Sequence, residues 1–398
     1  MNQHILNSFQ RLKLYCESEH FKGWDPYDGL NSRVFQALPQ LKNSAFCREV
    51  VIQGFKRCPI NLRKIALVPK GYNPKGLALF LSGYCNLFHI TENNENLIFS
   101  KEDCIAKIDF LAQLLINLIS KGYSGACWGY NFDWQSKAFF LPKWTPTVVA
   151  TSFVVDALLN AYSITGNKQY YIIATSSADF ILNDLNRINK ENGYMFSYSP
   201  LDYRAVYNAT LLGSKTLAQI YSYTKENRLK EAARISVQCA CDTQNPDGSF
   251  PHSDQVGNTW RDNFHTGFKL ESLKMYQDLC DDYSFNSNLE MGYHYWLENF
   301  FDKDKGMALY YDRNKQPSLV DLHCVAQSMA TLFKLGKMGE EKELANKLIK
   351  WAIDNMQSKK GYFCFQKKGL LKSRIEYMRW PNAWMFYGMS YWLNYNYK

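Results

Sequence analysis

Five short segments decide the fold: Gly125-Ala-Cys-Trp-Gly-Tyr130, Gly193-Tyr-Met-Phe-Ser-Tyr198, Gly248-Ser-Phe-Pro-His252, Gly306-Met-Ala-Leu-Tyr-Tyr311 and Gly361-Tyr-Phe-Cys-Phe365. Each begins with glycine and continues with aromatic residues interleaved with small or polar ones, which is typical of a short strand-turn-strand element. Successive glycines are separated by 68, 55, 58 and 55 residues. Because a repeat of this length has room for two helices, it indicates an array of helical hairpins.

Between these segments, apolar residues recur at spacings of three and four, as in helices. One set of helices is apolar on most sides and another carries charge on one face, which is expected when one layer is buried inside the other. The predicted inner helices span about residues 74–89, 147–164, 206–223, 263–279, 320–336 and 382–395. The predicted outer helices span about residues 42–57, 103–121, 168–184, 226–242, 285–301 and 339–357, with an additional helix near 3–18.

These helices predict an all-α fold, a closed (α/α)6 toroid of helical hairpins with short β-hairpins at one end. Closing the ring removes the exposed ends that an open array of repeats has to cap. The sequence contains no obvious linker, so we expect a single toroid domain over residues 1–398. Residues 1–41 are expected to form an N-terminal helix and an irregular segment that pack on the ring.

Composition narrows the class of protein. The chain has 398 residues, of which 46% are hydrophobic and 21% charged, as in ordinary globular proteins. No run of about 18 uninterrupted apolar residues predicts a membrane span, and the first residues do not resemble a signal peptide. The 11 cysteines are scattered and odd in number, which favours reduced thiols in a cytoplasmic protein over a disulfide framework.

The charge is positive, with a formal value of +9, and basic residues are in excess between Lys337 and Lys398. Such an excess suggests an anionic partner, although a solvated basic helix face would give the same count. No nucleic-acid-binding motif accompanies the charge, so we expect no nucleic-acid partner. Aromatic residues make up 16% of the chain, which suits a pocket with flat, hydrogen-bonding walls as well as a packed core.

The candidate site lies where the inner helices begin. Each turn precedes an inner helix, so the turns and the inner-helix N-termini are expected to share one end of the ring. N-termini expose unpaired N–H groups and favour anions. Helix capping explains the asparagine and aspartate residues there, but it explains the histidine, tyrosine and tryptophan residues poorly. The recurring residues are Tyr207, Asn208, Asp262, Asn263, His265, Asp321, His323 and Trp384.

The densest group is Trp260-Arg-Asp-Asn-Phe-His265, which follows Asp247-Gly-Ser-Phe-Pro-His252. Asp262 and His265 are three residues apart and share a face of a helix that has begun. His265 can transfer a proton near neutral pH, and a histidine satisfied by a core neighbour would show the same pattern. Arg261 can bind a carboxylate or a phosphate through two hydrogen bonds.

Asp321 and His323 repeat this arrangement one hairpin later. Together with His265 and Cys324 they offer ligand types that suit zinc, but their spacing matches no zinc motif. The sequence therefore predicts neither a metal nor another cofactor.

A second group, Trp128-Gly-Tyr-Asn-Phe-Asp-Trp-Gln135, alternates flat aromatic side chains with hydrogen-bonding ones. This alternation suits a sugar ring, which has an apolar face and a rim of hydroxyl groups, and it also suits an aromatic hairpin packed on the ring. The predicted sugar-binding residues of this group are Trp128, Tyr130, Asp133 and Trp134. Trp24 and Asp25 are predicted to lie across the cavity, and Arg374 at its mouth.

The repeat, together with Asp247-Gly-Ser-Phe250 and Tyr207-Asn-Ala-Thr-Leu-Leu-Gly213, resembles the α/α-toroid or six-hairpin glycosidase superfamily. Glucuronyl hydrolases, toroid domains of polysaccharide lyases and glucuronyl C5-epimerases share that architecture. Trp24-Asp-Pro-Tyr-Asp-Gly-Leu-Asn-Ser32 and the Trp128–Gln135 group resemble a bacterial group within it that is associated with surface-polysaccharide biosynthesis. The resemblance covers nearly the whole chain as architecture and implies a carbohydrate-active protein, while the reaction is not set by the fold.

The leading hypothesis is an enzyme acting on an acidic, uronate-containing oligo- or polysaccharide, or on a lipid-linked glycan. In a lyase or epimerase, Tyr207, His265 or His323 would remove the proton next to the carboxylate, which Arg261 would neutralise. In a hydrolase, two carboxylates would flank the bond, drawn from Asp262, Asp321, Asp133 and Asp202. The alternatives are a non-catalytic glycan-binding or scaffold protein of a polysaccharide assembly complex, and a zinc-dependent toroid of the prenyltransferase or cyclase type.

Overall fold

A computed structural model of the chain describes residues 2–92, 99–136, 139–254, 260–312 and 319–397. The α-helices are α1 (Asn2–Ser18), α2 (Arg33–Gln36), α3 (Pro39–Asn43), α4 (Ala45–Arg57), α5 (Pro74–Thr91), α6 (Lys101–Asn117), α7 (Val148–Thr165), α8 (Lys168–Asp179), α9 (Tyr207–Thr224), α10 (Asn227–Cys241), α11 (Asn263–Cys280), α12 (Asn286–Asn299), α13 (Leu322–Lys334), α14 (Lys342–Met356) and α15 (Trp384–Tyr397). A 3₁₀ turn spans Asp28–Asn31, and π-helical turns span Phe180–Asp184 and Met378–Ala383. The prediction of an all-α fold of helical hairpins is confirmed.

The strands are short and pair locally. They are β1 (Trp134–Gln135), β2 (Phe140–Leu141), β3 (Arg187–Lys190), β4 (Gly193–Phe196), β5 (Phe301–Asp302), β6 (Met307–Ala308), β7 (Leu319–Asp321), β8 (Gln366–Lys368) and β9 (Leu371–Lys372). β1–β2, β3–β4 and β5–β6 are antiparallel pairs, and β7, β8 and β9 form a three-stranded antiparallel sheet. The hairpins predicted at Gly193 and Gly306 are therefore present.

At the other three repeated glycines, the described residues form turns without flanking strand pairs. Isolated bridges tie these turns to nearby backbone: Gly129 to Pro146, Val206 to Ser253 and Gln357 to Phe363. The hairpin predictions at Gly125, Gly248 and Gly361 are wrong in this respect. The sequence pattern identified the turns but overstated the strands, because the backbone at these turns makes only isolated bridges.

The inner layer consists of α5, α7, α9, α11, α13 and α15, which are buried on nearly all sides. Each inner helix packs against the next one along the chain, and α15 packs against α5. The Asn86 amide of α5 donates to the Ser390 hydroxyl of α15 over 2.9 Å. These contacts bring the first and last inner helices together.

The repeated glycines share one physical role, which is a close approach to the next outer helix. A Cβ at Gly125 would lie 2.0 Å from the Ser176 carbonyl oxygen of α8, and one at Gly248 would lie 2.3 Å from the Met291 carbonyl oxygen of α12. In the same way, Gly193 abuts α10 and Gly306 abuts α14. The last of them, Gly361, packs on the Arg11 carbonyl of α1, at 2.3 Å from its Cβ position. The first helix of the chain therefore follows α14 in the outer layer.

This placement corrects the predicted outer layer, in which residues 42–57 formed the first outer helix and 3–18 an extra one. α1 packs against α14 and α15, whereas α4 packs on the 3₁₀ turn Asp28–Asn31 and on β1. Ile52 of α4 joins Leu30 and Phe35 in a small cluster apart from the main core. Helical periodicity shows that a helix has a buried face, but it does not show which neighbour covers that face.

One helix in the described ranges, α7, is long and apolar enough to cross a membrane, with a mean hydropathy of 1.4. Of that segment, 72% is buried inside the protein, where α7 packs against α5 and α9. Core helices commonly meet the same criterion, so this is weak evidence for a span. All 11 cysteines are free thiols, and most are buried as small core residues.

Candidate functional site

The N-terminal ends of several inner helices converge on Lys75, the second residue of α5. Its ammonium nitrogen lies 4.3 Å from the ring centroid of Phe153 on α7, 4.9 Å from that of Phe268 on α11 and 5.2 Å from that of Trp384 on α15. The side chain therefore reaches the interior of the ring. No carboxylate in the described part of the chain forms an ion pair with it, and its pKa is held well below the usual range by burial, then by the charge of Arg379.

Two neighbours of Lys75 also bury polar atoms that bind nothing among the described residues. These atoms are both ring nitrogens of His323 and the indole nitrogen of Trp384. The two rings stack with their centroids 3.9 Å apart. Because buried polar groups in folded proteins are nearly always hydrogen-bonded, three of them in one place are suited to a polar ligand. We call Lys75, His323 and Trp384 the central polar cluster.

A histidine–aspartate pair lies at the same end of the ring. Asp262 caps α11, its Oδ1 accepting a hydrogen bond of 2.8 Å from the His265 backbone N–H. Its Oδ2 lies 2.6 Å from Nδ1 of the His265 ring, so the predicted contact between these residues is present. Since Nδ1 is engaged, Nε2 is the atom that can exchange a proton with a substrate. The His265 side chain is 21% exposed, which leaves it accessible.

Asp321 does not repeat this arrangement. Its carboxylate accepts hydrogen bonds from the His323 backbone N–H at 2.9 Å, from the Trp380 indole and from the Gln366 amide. Burial raises the pKa of Asp321 to about 6. Asp321 therefore lies close to His323, as predicted, but contacts its backbone and not its ring. Residues three apart on a helix share a face, as Asp262 and His265 do, whereas residues two apart point to different sides.

The His323 ring lies between two aromatic rings, Phe264 at 4.0 Å and Trp384 at 3.9 Å. Burial, followed by the charges of Lys75, His265 and Arg379, holds its pKa well below the usual value. The folded protein thus keeps His323 neutral at pH values where the unfolded chain protonates it.

This difference predicts a loss of stability in acid. Below about pH 6.5 the unfolded state binds the additional proton, so the free energy of unfolding falls as the pH falls. We expect the wild-type protein to lose stability relative to a His323→Phe variant as the pH falls below about 6.5, with a slope that approaches about 1.4 kcal/mol per pH unit and ends at the folded-state pKa. Phenylalanine can still stack between Phe264 and Trp384, and it has no group that binds a proton in this pH range. Urea unfolding at several pH values measures the difference, and parallel pH profiles for the two proteins would contradict it.

Two residues predicted to bind substrate have structural roles instead. Trp128 is fully buried, and its indole N–H donates to the Leu115 carbonyl of α6 over 2.8 Å. The Asn263 side chain accepts from the Trp296 indole of α12 over 2.9 Å. Both side chains form hydrogen bonds with residues of an outer helix, so these polar atoms are not free to bind a ligand.

The predicted anion-binding residues point away from the central polar cluster. The Arg261 guanidinium lies 3.4 Å from Asp312 and packs over the ring of Tyr295 on α12. Arg374 is exposed, and its carbonyl accepts from the Tyr362 hydroxyl beside the outer layer. The prediction that Arg261 binds an anionic group in the cavity, with Arg374 at its mouth, is corrected accordingly, because each lies next to an outer helix or hairpin.

Tyr207 is buried, and its pKa is raised to about 12 by burial and by the charge of Asp254. Its phenol therefore stays protonated near neutral pH, which makes it a hydrogen-bond donor and disfavours the predicted role as a base. Asn208 buries an amide oxygen that has no partner among the described residues. These two positions remain compatible with ligand contact.

The aromatic group before α7 lies near the mouth. Tyr130 stacks on Phe132, and its hydroxyl is 3.4 Å from that of Tyr198. Asp133 accepts from the Lys143 backbone N–H over 2.8 Å, and Trp134 packs edge-on against Phe139. The aromatic rings of Tyr130 and Trp134 therefore pack against neighbouring aromatic residues.

The segment that holds Trp24 and Asp25 is anchored by buried ion pairs. Asp25 accepts from Arg379 over 2.8 Å, and Asp28 accepts from Arg63 over 2.7 Å. The Trp24 indole donates to the Val68 carbonyl over 2.9 Å. These residues connect the N-terminal segment to the turn that starts α15, so their polar groups are used within the fold.

Sequence reasoning missed Lys75 and gave Arg379 no role in binding. A signal for Lys75 was available, because a lysine in the first turn of an apolar helix is placed unfavourably against the helix dipole.

In the described part of the chain, no group of three or more His, Cys, Asp or Glu side chains is arranged to hold a metal ion.

The helices and turns define an all-α fold of helical hairpins with short strands at the turns. No protein-family model and no curated protein sequence matches the chain. Solved structures with the same fold include a sugar epimerase from a ruminal bacterium, with 13% identity and a TM-score of 0.59 over 81% of this chain and 89% of that one.

Two further structures are similar over most of their length. A GH76 α-mannanase of Bacteroides thetaiotaomicron has 14% identity and a TM-score of 0.62 over 81% of this chain and 86% of that one. An unsaturated glucuronyl hydrolase specific for heparin has 13% identity and a TM-score of 0.57 over 83% and 88%. At these identities the likeness shows the fold.

Proposed function

We propose that the protein is a carbohydrate-active enzyme that moves a proton at a sugar carbon next to a carbonyl or carboxylate group. This chemistry is shared by epimerases, isomerases and lyases. The observation that carries the proposal is the central polar cluster, placed at the same end of the ring as the His265–Asp262 pair. His265 would take and return the proton, and the cluster would hold the oxygen on which negative charge develops.

Lys75 is the member of the cluster best suited to an anionic oxygen. Its low pKa results first from burial, which disfavours the charged form. An anionic group placed beside the nitrogen would favour the ammonium form again, so binding would be accompanied by proton uptake. Aromatic rings surround the nitrogen and lower the local dielectric constant, which strengthens such a contact.

Proton transfer is favoured over hydrolysis by the state of the carboxylates. Hydrolysis of a glycosidic bond needs two carboxyl groups that flank it. Asp262 is bound to His265, and Asp321 is bound to Trp380 and Gln366, so both serve other side chains. The proposed substrate is an acidic, uronate-containing glycan, in keeping with the net charge of +9. We place this activity in surface-polysaccharide metabolism of a bacterial cytoplasm.

The test is an assay of the wild-type protein on uronic-acid oligosaccharides and reducing sugars in D₂O. Deuterium entering a carbon-bound position of the sugar, or an unsaturated product absorbing in the ultraviolet, would support the proposal. New reducing ends without either signal would show that the protein is a hydrolase instead. The absence of all three signals across acidic and neutral sugars would overturn it.

Replacing Lys75 with methionine separates a functional role from a structural one. We expect the activity to fall about ten- to a hundredfold, since a hydrogen bond to a charged group contributes about 1.5–3 kcal/mol. Stability should be kept or increased, because the variant replaces a buried amine that forms no ion pair with a described residue by an apolar side chain. Activity assays and urea unfolding measure the two effects.

Lys269 provides the matched control, because its buried ammonium donates to the carbonyl groups of Phe250 and Pro251. Lys269→Met leaves both carbonyls without this donor, so we expect it to lower stability. If Lys75→Met lowered stability and left turnover unchanged, Lys75 would be structural.

A further inference from the structure

An exposed tryptophan stands between two grooves on the outside of the ring. Trp144 is 36% exposed and lines both a groove of about 550 Å³ and a groove of about 430 Å³. The larger groove also contains the ring of Tyr72, and the smaller one contains Tyr123. Each groove therefore has a second aromatic wall besides Trp144.

The backbone at Trp144 is held in an unfavourable conformation. Its φ is 67°, in the left-handed region that bulky residues rarely adopt. The strain is maintained from both sides, since the Trp144 N–H donates to the Tyr130 carbonyl and its own carbonyl accepts from the Ser120 hydroxyl, each over 2.7 Å. Such strain persists where the surroundings over-determine it, and it concentrates at binding and catalytic positions.

The charge around Trp144 is positive. Lys42, Lys70 and Lys143 line the larger groove with one acidic residue, Asp133, and Lys121 and Lys143 line the smaller one. Lys70 is paired with Glu19, whereas Lys42, Lys121 and Lys143 form no ion pair with a described residue. A groove of this composition attracts anionic ligands.

The larger groove borders a small cavity beside the start of α15. Its residues Gly71 and Asn131 also line a small cavity that contains Asp25 and Arg379. Arg379 lies over the rings of Tyr130 and Trp380, at the entry to α15. This cavity, of about 10 Å³, is too small for a sugar, so a chain bound in the groove would lie over it.

We propose that the two grooves beside Trp144 bind an anionic oligosaccharide chain, with the indole stacking on a sugar ring and the lysines facing its acidic groups. The nature of the ligand rests on the proposed function, while the site itself lies outside the central polar cluster. A ligand of this kind would be a chain of several sugar units.

The test measures binding to a His265→Asn protein, so that no ligand is turned over. The probes for calorimetry are hexagalacturonate, a heparin-derived hexasaccharide, galacturonate and neutral maltohexaose. We expect at least one anionic hexamer to bind more tightly than galacturonate and maltohexaose, and to bind less tightly as salt is added. Trp144→Gly should weaken that binding by about five- to tenfold, from roughly 1–1.5 kcal/mol of ring contact.

Glycine is chosen because it accepts the positive φ, so the variant should fold, and a melting curve checks this. Trp144→Tyr keeps a flat ring and should keep most of the affinity. Tyr283→Ala removes another exposed aromatic ring, 55% exposed after α11, and should change nothing. Binding of the anionic hexamer that is equal in the His265→Asn protein with and without Trp144→Gly would overturn the proposal, as would a failure of both anionic hexamers to bind. The proton-exchange assay on small sugars is independent of these results.

Discussion

Replacing His265 with asparagine is expected to lower turnover by about a hundred- to ten-thousandfold, because the variant loses the group that exchanges the proton. Substrate affinity should change little. The asparagine amide can still donate to the Asp262 carboxylate. The backbone N–H of residue 265, which donates to the same carboxylate in the cap of α11, is unchanged. Steady-state kinetics on the substrate identified in the D₂O assay give both quantities. The expected pattern is a fall in kcat with a nearly constant KM.

His294 supplies the control for this experiment, since it lies exposed on the outer helix α12. His294→Asn should behave as the wild-type protein does. Asp262→Asn should leave a cap on α11 but disturb the tautomer of the His265 ring, so its pH–rate profile should shift. A His265→Asn variant that keeps turnover within a few-fold of wild type would remove His265 from the mechanism.

Replacing Asp25 with asparagine is expected to lower the free energy of unfolding by about 3–5 kcal/mol. Asp25 and Arg379 are both buried, and the carboxylate accepts from two guanidinium nitrogens. The variant leaves the arginine charge inside the protein without its counter-ion, which costs more than the pair itself contributes. Urea unfolding monitored by circular dichroism measures the loss.

Two controls locate the effect in the buried charge. Asp354→Asn breaks the exposed pair with Lys350 and should cost less than about 1 kcal/mol. A double variant, Asp25→Asn with Arg379→Met, removes both charges and should recover much of the stability lost by the single variant. A loss of under about 1 kcal/mol for Asp25→Asn would show that Arg379 remains hydrated in the folded protein.

The parts of the site that were predicted correctly depend on local geometry. Asp262 and His265 meet because three residues along a helix return to the same face, and this spacing can be read from the sequence. The turns at the repeated glycines were found for a similar reason. At Gly125 and Gly248 a side chain would collide with the backbone of the next outer helix, so glycine recurs at these positions.

The parts that were missed depend on contacts between residues far apart in the chain. Trp128 and Trp384 look alike in sequence, yet the first uses its indole N–H within the fold and the second leaves it without a partner. Lys75 gains its importance only from Phe153, Phe268 and Trp384, which belong to three other helices. Arg261 was expected at the centre, but Asp312 holds it beside α12.

The all-α class and the alternation of inner and outer helices could be predicted from the sequence. These properties follow from periodicity and turn chemistry, which act over a few residues. Long-range packing shows that α1, and not α4, joins the outer layer, and that Lys75, His323 and Trp384 lie together. The periodicity of one segment shows that a helix has a buried face. The helix that covers this face is selected by packing among segments far apart in the chain, and so is the side chain that neutralises a buried charge.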